Sequence, residues 1–166
     1  ARAGVRPSIL APADYIDTNV KGTTTLLEFC KERGVHQFIF SSSSSVYGDE
    51  PTFPWQEDMS CLHPISPYAA SKRGAEILAY TYSHLCPVRI LCLRLFTVYG
   101  PKQRPDLAIH KFARKILRNE PVTLYGDGST KRDYTFVQDI VTGIVQSASW
   151  LTGQPDHCFE IVNLGS

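Results

Sequence analysis

The chain lacks the sequence features of several large protein classes, and each absence narrows its function. The net charge is +1 over 166 residues, which gives no electrostatic basis for binding nucleic acid or an anionic membrane surface. No apolar run approaches the ~20 residues that a membrane-spanning helix needs. The first residues, ARAGVRPS, do not resemble a signal peptide. We therefore expect neither nucleic acid nor a membrane as a partner.

Patterns for metal ions and disulfides are also missing. The five histidines are scattered, with no pair at zinc-ligand spacing. The cysteines are odd in number and mostly lie in apolar stretches, which favours buried free thiols in a reducing compartment. We expect no metal site and a cytoplasmic protein. The cysteines are Cys30, Cys61, Cys86, Cys92 and Cys158.

A glycine-rich turn of the form Gly-x-x-Gly-x-x-Gly does not occur anywhere in the chain. In dinucleotide-binding proteins such a turn holds the cofactor phosphates at a helix N-terminus. The chain therefore carries no phosphate cradle of this kind.

What the chain does contain is a tyrosine and a lysine four residues apart, Tyr68 and Lys72, after a run of serines from Ser41 to Ser45. On a helix the pair shares one face. A nearby ammonium favours the phenolate, so we expect Lys72 to lower the pKa of Tyr68 and suit it to act as a base. Either Ser43 or Ser45, which point the same way on a strand, can bond the reacting hydroxyl. The spacing predicts a Ser/Tyr/Lys site for hydride transfer at an alcohol carbon.

Apolar periodicity predicts alternating helices and strands, and hence an α/β fold with a parallel sheet. The residues from 48 to 67 read as a long irregular connection, which is often functional, and the residues from 97 to 106 read as a loop. The predicted helices cover residues 15–33, 67–84, 107–118 and a segment around 137–145. The predicted strands cover residues 36–44, 88–96, a short stretch at 122–125 and 159–166, with a turn at 125–130.

Several motifs, in one order along nearly the whole chain, resemble the extended short-chain dehydrogenase/reductase family in its nucleotide-sugar epimerase/dehydratase branch. They are AGVRPS, NVKGTTTLLEFC, FIFSSSSSVYG, SPYAASK, LRLFTVYGP and YGDGSTKRDYTFVQDIV. The resemblance implies the C-terminal half of a doubly wound, Rossmann-type parallel sheet, with NAD as cofactor. It also implies part of a small lobe that binds a nucleoside diphosphate sugar.

The resemblance implies roles for individual residues. Tyr68 is the catalytic base and acid, Lys72 holds the nicotinamide ribose, and Ser43 is the catalytic serine. The cofactor-binding set is Arg6, Asn19, Ser41, Tyr68, Lys72 and Phe96, and the substrate-binding set is Ser43, Thr97, Arg104 and Arg132.

Some of these residues have a plainer structural explanation as well. Arg6 can be a surface arginine, Asn19 a cap of local backbone and Phe96 a core residue. Arg132 can pair with a nearby aspartate, and Arg104 with Asp106.

The resemblance also implies that this is an internal fragment of a chain about twice as long. Residues 1–120 are expected to form a partial NAD-binding domain that lacks its first strands and glycine-rich loop. Residues 121–166 are expected to form part of the substrate lobe, interleaved with the last elements of the sheet. We expect poor NAD affinity and no turnover by the fragment alone.

Two positions point to the branch of the family. Ser44 and Ser45 stand where sugar 4,6-dehydratases carry an Asp–Glu pair and decarboxylases a Glu, and serine cannot supply a carboxyl acid or base. Thr97 and the Arg-Pro-Asp run after it resemble UDP-glucuronate 4-epimerases, whose substrate carboxylate suits arginine donors.

The expected function is therefore NAD-dependent epimerisation at C4 of a UDP-sugar, with UDP-glucuronate converted to UDP-galacturonate. UDP-glucose 4-epimerase and UDP-glucuronate decarboxylase stay open, as does a non-catalytic truncated paralogue. The whole protein is expected to form a homodimer.

Overall fold

The computed structural model describes residues 1–124, 127–128 and 132–165. Short helices open the chain, and a π-helical stretch, Ile16–Lys21, runs into α3. A 3-10 turn, Ser44–Tyr47, follows β1. The elements are α1 (Val5–Leu10), α2 (Pro12–Tyr15), α3 (Gly22–Arg33), β1 (Gln37–Ser43), α4 (Pro67–Leu85), β2 (Arg89–Leu95), β3 (Thr97–Tyr99), α5 (Ala108–Leu117), β4 (Tyr134–Phe136), α6 (Val137–Thr152) and β5 (Phe159–Leu164).

Three strands form the main sheet, in the order β1-β2-β5, and all of them are parallel. Their register brings Ser43 opposite Leu95, and Leu95 opposite Leu164. The carboxyl ends of the three strands therefore meet at one edge of the sheet. A second, two-stranded parallel sheet joins β3 and β4, beginning with Thr97 opposite Tyr134.

The central strand β2 is buried on both faces, which explains its nearly continuous apolar sequence. Alternate residues of a strand point to opposite faces, so Ile90 and Cys92 pack with Leu27 of α3 and with α4. Leu91 and Leu93 pack on the other side with α6. Helices cover both faces of a parallel sheet, and the fold is therefore of the α/β, Rossmann type.

Helix α4, which carries Tyr68 and Lys72, begins where its sequence predicts. The Ser66 side chain accepts a hydrogen bond from the Ala69 amide at 3.1 Å, and Pro67 occupies the first turn. Both features favour a helix start. Helix α3 ends at Gly34, which adopts the left-handed conformation (φ 63°). This conformation is expected for a glycine that follows a helix.

Most elements predicted from periodicity are confirmed. The predicted helix at 15–33 is present as the π-helical stretch and α3, and the long helix and the two buried strands agree with α4, β1 and β2 within a residue or two. The predicted helices at 107–118 and around 137–145 correspond to α5 and α6. Four of the five cysteines are buried and all five are free. The division into two partial domains stays a prediction.

Two local predictions are wrong. The residues at 97–106 begin with a strand, because Thr97–Tyr99 pairs with Tyr134–Phe136 across a gap in sequence that periodicity cannot reveal. The predicted strand at 122–125 is not formed by its described residues 122–124, which pair with no described strand. The predicted turn at 125–130 lies mostly outside the described residues.

No helix within the described ranges is long and apolar enough to cross a membrane.

Gly48, which ends the 3-10 turn after β1, is required by geometry. Its φ is +65°, and an added Cβ would lie 2.4 Å from the carbonyl oxygen of His63. A backbone oxygen cannot move aside cheaply, so a side chain at this position must displace the loop that packs against it. By contrast, a Cβ on Gly74 inside α4 would make an ordinary contact of 3.7 Å with Val20.

We predict that Gly48→Ala lowers the free energy of unfolding by more than about 1 kcal/mol, because it adds strain and a clash. Gly74→Ala is the matched control, and helix propensity predicts a change between zero and about 1 kcal/mol of added stability. Urea unfolding followed by circular dichroism measures both. Equal stabilities for the two variants would contradict this account of Gly48.

Candidate active site

A cavity of about 880 Å³ lies at the carboxyl edge of the main sheet. Its wall includes residues that follow each of the three strands: Ser44 and Ser45 after β1, Phe96 and Thr97 after β2, and Gly165 after β5. Ligands of open α/β sheets bind at this edge. We refer to this cavity as the cleft.

Tyr68 and Ser43 meet beside the cleft. Ser43 is the last residue of β1 and Tyr68 lies in the first turn of α4, and the Ser43 side chain lies close enough to the Tyr68 hydroxyl to affect its pKa. The Ser43 hydroxyl also accepts the amide of Ser45 at 3.2 Å. Of the two serines that the sequence left open, Ser43 is therefore the one that contacts Tyr68, while Ser45 lines the cleft.

The pKa of Tyr68 is raised above its ordinary value. Burial raises it most, while the Ser43 side chain and the charge of Arg104 lower it, and Tyr15 nearby adds a smaller raising effect. The expectation that Lys72 lowers the pKa of Tyr68 is not met in this structure. The effects that lower this pKa come from Ser43 and Arg104.

Lys72 directs its ammonium at the end of β1. The Nζ atom donates a hydrogen bond of 2.6 Å to the carbonyl oxygen of Ser41 and lies 4.8 Å from the centre of the Phe40 ring. The side chain is almost fully buried, at 3% exposure. Burial lowers the pKa of Lys72 to about 8, and the charge of Glu76 opposes that shift. Ser41 contributes its carbonyl here, whereas its side chain is exposed.

Glu76 was not singled out from the sequence, yet it completes a stripe on α4. Tyr68, Lys72 and Glu76 are spaced by four residues and share one helical face. Tyr68 lies beside Ser43, Lys72 donates to the carbonyl of Ser41, and Glu76 accepts the Ser42 hydroxyl at 2.6 Å. One helix face therefore holds three consecutive residues at the end of β1.

Glu76 in turn forms a fully buried ion pair with Arg94 of β2. Two parallel hydrogen bonds of 3.0 Å join the guanidinium Nε and Nη2 to the two carboxylate oxygens, and both side chains are 0% exposed. Arg73 adds a third cationic donor at 3.0 Å. Burial disfavours the charged guanidinium, but the bonds to Glu76 outweigh it and raise the pKa of Arg94. An arginine inside the apolar run ILCLRL was the available signal, since a buried charge requires a partner.

Asn19 serves the structure rather than facing the cleft. Its carbonyl accepts the Arg2 amide at 2.7 Å, and its amide donates to the Arg2 carbonyl at 3.0 Å and to the Ser71 hydroxyl at 2.9 Å. Ser71 passes the connection to the carbonyl of Tyr68. Both N–H donors of Asn19 are thereby used, which favours the explanation that it ties local backbone to α4. Contact of Asn19 with a cofactor stays a prediction.

The remaining predicted residues divide into two groups. Phe96, Thr97 and Arg132 line the cleft, as a role at the site requires. Arg104 is half exposed and pairs with Asp106 at 3.4 Å, although its charge acts on Tyr68. Arg6 is exposed on α1 next to Val5, which does line the cleft.

Across residues 1–124, 127–128 and 132–165, no group of three or more His, Cys, Asp or Glu side chains is placed to hold a metal ion.

A parallel sheet with helices on both faces, and a Ser/Tyr/Lys set at its carboxyl edge, is the arrangement of a Rossmann-type oxidoreductase or epimerase. The family model for the NAD dependent epimerase/dehydratase family matches residues 1–165. The chain belongs to that family, and the resemblance seen in the sequence motifs is confirmed.

Three relatives illustrate the likeness. The chain is 45% identical to a UDP-glucuronate 4-epimerase of Thermodesulfobacterium geofontis over 166 residues, which are 99% of this chain and 49% of the relative. It is 38% identical to MoeE5, solved in complex with UDP-glucuronic acid and NAD, with a TM-score of 0.87 over 100% of this chain and 54% of that one.

The third relative, a dTDP-glucose 4,6-dehydratase of Streptomyces venezuelae, is 32% identical, with a TM-score of 0.87 over 100% of this chain and 50% of that one. The chain thus spans about half the length of these relatives. Because epimerase and dehydratase share the fold, the choice between the two reactions must come from the site.

The buried ammonium gives a pH-dependent prediction. The pKa of Lys72 in the folded chain, about 8, lies below its unfolded value, so the unfolded chain binds more protons between those two values and stability rises with pH across that window. We predict that the free energy of unfolding of the wild type, measured relative to that of Lys72→Met, increases by about 2 kcal/mol between about pH 7 and pH 9.5.

Urea unfolding at the two pH values measures that gain. Lys31→Met, which removes an ammonium with 55% of its side chain exposed, is the control and is expected to show no such gain. A Lys72→Met difference that stays constant with pH would contradict the buried, charged lysine.

Proposed function

We propose that the protein carrying this chain is an NAD-dependent UDP-sugar 4-epimerase, with UDP-glucuronate as substrate and UDP-galacturonate as product. The observation that carries the proposal is the placement of Ser43, Tyr68 and Lys72 together at the end of β1, beside a large cleft. The similarity to a UDP-glucuronate 4-epimerase supports it.

The residues at the sheet edge fit a nicotinamide cofactor. An ammonium has three N–H donors, and within the described part of the chain Lys72 spends one of them on Ser41. The others suit ribose hydroxyls, and Phe96 gives the cleft an apolar wall for a planar ring. Held there by Lys72 and Phe96, NAD would supply the hydride acceptor and donor for C4 of the sugar.

The chain's own residues handle the proton. Tyr68 accepts the proton of the C4 hydroxyl as the carbon is oxidised and returns it when the 4-keto sugar, turned over in the cleft, is reduced on its other face. Ser43 holds the reacting oxygen in line with Tyr68. Because burial raises the pKa of Tyr68, the phenol is its resting form, and the charges around it must favour the phenolate during the first step.

The polar wall of the cleft favours epimerisation over elimination. Ser44 and Ser45 both line it, and neither hydroxyl can act as the carboxyl acid or base that loss of water requires. Arg132 also lines the cleft and suits the substrate diphosphate, since its planar fork bonds phosphate oxygens in pairs.

UDP-glucose is the second candidate substrate, and a specific observation favours it. Asp49, Glu50 and Asp133 line the cleft together with Arg132. Carboxylates repel a glucuronate more than they repel a neutral sugar. Thr97, which also lines the cleft, and Arg104, whose charge acts on Tyr68, are the groups that we assign to the glucuronate carboxylate.

We predict that the whole encoded protein converts UDP-glucuronate to UDP-galacturonate with catalytic NAD and releases no CO2, as followed by the anomeric proton signal in NMR. Tyr68→Phe keeps the ring but removes the hydroxyl, so turnover should fall by about 10²–10⁴-fold. Tyr99→Phe, which removes a hydroxyl from β3, is the matched control and should retain activity.

Each other product pattern identifies an alternative. Conversion of UDP-glucose alone supports the neutral-sugar epimerase, and a UDP-pentose with CO2 supports a decarboxylase. Conversion of neither sugar would contradict the proposal and favour a non-catalytic paralogue.

An exposed apolar face supports the expected homodimer. Ala75 and Ala79 of α4 are buried in the chain's own core. The exposed large side chains on α3 and α4 include Leu26, Phe29, Ile77 and Tyr80, each 51–55% exposed, and Leu85 at 70%. Exposed apolar residues on two neighbouring helices suit a self-complementary contact, which sedimentation equilibrium of the encoded protein tests.

A further inference from the structure

A chain of hydrogen bonds continues from the buried ion pair to the wall of the cleft. Arg94 uses Nη1, which faces away from Glu76, to donate to the Tyr47 hydroxyl at 2.9 Å. Tyr47 then donates to the side-chain carbonyl of Asn163 at 2.8 Å. Tyr47 is 4% exposed and is not among the residues that line the cleft.

Asn163 in turn forms hydrogen bonds with the segment that contains Trp55 and Glu57. Its side-chain amide donates to the Trp55 carbonyl at 3.0 Å, and its backbone amide donates to the Glu57 carboxylate at 2.8 Å. Both Asn163 and Trp55 line the cleft. The Trp55 ring stacks on the Tyr47 ring, with centroids 4.9 Å apart and planes at 21°.

The direction of each hydrogen bond in this chain is fixed by chemistry. A guanidinium can only donate, so the Tyr47 hydroxyl must accept from Arg94 and spend its single proton on Asn163. That proton selects the carbonyl oxygen of Asn163, which turns the amide nitrogen toward Trp55. Without the hydroxyl of Tyr47, the Asn163 amide loses one of the two partners that fix its orientation, and the Trp55 carbonyl remains as the other.

We propose that Tyr47 is a positioning residue for the bound nucleotide sugar, acting through Asn163 on the Trp55 side of the cleft. This inference rests on the proposed function, because it places a nucleotide sugar in the cleft. Tyr47 contacts neither Tyr68 nor Ser43 in the described hydrogen bonds, so its effect is expected in substrate binding and not in the hydride and proton steps.

The test uses Tyr47→Phe in the whole encoded protein, because that change deletes the hydroxyl and leaves the stacked ring. The expected result is a KM for the UDP-sugar raised about three- to tenfold, the range of one hydrogen bond, with kcat within about twofold. Tyr82→Phe is the matched control, since it removes a hydroxyl that bonds Glu28 on the helical surface, and its KM should not change.

A double-mutant cycle tests the route through Asn163. If Tyr47 acts through Asn163, adding Tyr47→Phe to Asn163→Leu should raise KM no further. Full additivity of the two changes would overturn the proposal, as would a Tyr47→Phe variant that loses stability with an unchanged KM. Glu57→Ala is a second variant. Because Glu57 is exposed, this variant is expected to fold, and it should also raise KM.

Fluorescence separates this inference from the proposed function. In a Trp150→Phe background, Trp55 is the only tryptophan of the sequence given. Tyr47→Phe should increase the acrylamide quenching constant of Trp55 by about twofold or more in the free protein, as expected for a segment that has lost an anchoring bond.

If quenching increases in a protein that converts no UDP-sugar, Tyr47 still positions the wall of the cleft. The same result would overturn the proposed function and, with it, the inference that this wall binds a nucleotide sugar. Unchanged quenching in an active epimerase would overturn the inference alone.

Discussion

The ion pair between Glu76 and Arg94 is the interaction on which the rest of the site depends. Removing two charges from water costs several kcal/mol per ion, and only saturated hydrogen bonding offsets that cost. Here the pairing is bidentate, and Ser42 and Arg73 occupy further positions on the carboxylate. Loss of one partner would leave an uncompensated buried charge, which typically destabilises a protein by about 3–5 kcal/mol.

The geometry of the reacting groups follows from that pair. Glu76 lies two helical turns beyond Tyr68 on the same face of α4, and its bond to Ser42 fixes the height of the helix against β1. Tyr68 and Lys72 then meet Ser43 and the carbonyl of Ser41 without further adjustment. Arg94, the other partner of the ion pair, donates a hydrogen bond to Tyr47 and so connects the pair to the wall of the cleft. The helix and the cleft wall therefore share one anchor.

The sequence was sufficient for features set by local patterns. The apolar run in β2, the serine and proline at the start of α4 and the Tyr68–Lys72 spacing all follow from short-range rules, and the structure agrees with them. Features set by distant pairing were not predictable in the same way. The β3–β4 sheet joins residues more than thirty positions apart, and the target of the Lys72 ammonium depends on how α4 sits against β1. Arg94 was a visible signal, but its partner could be found only in three dimensions.

Amide hydrogen exchange in Glu76→Gln tests most directly whether one buried pair ties these elements together. The account predicts faster exchange, relative to wild type, at the end of β1, in the first turns of α4 and around residues 55–57, with α6 unchanged. Glu28→Gln, at a carboxylate with 43% of its side chain exposed, should leave all of these regions unchanged. Acceleration confined to α4, with β1 and residues 55–57 as in wild type, would contradict the claim.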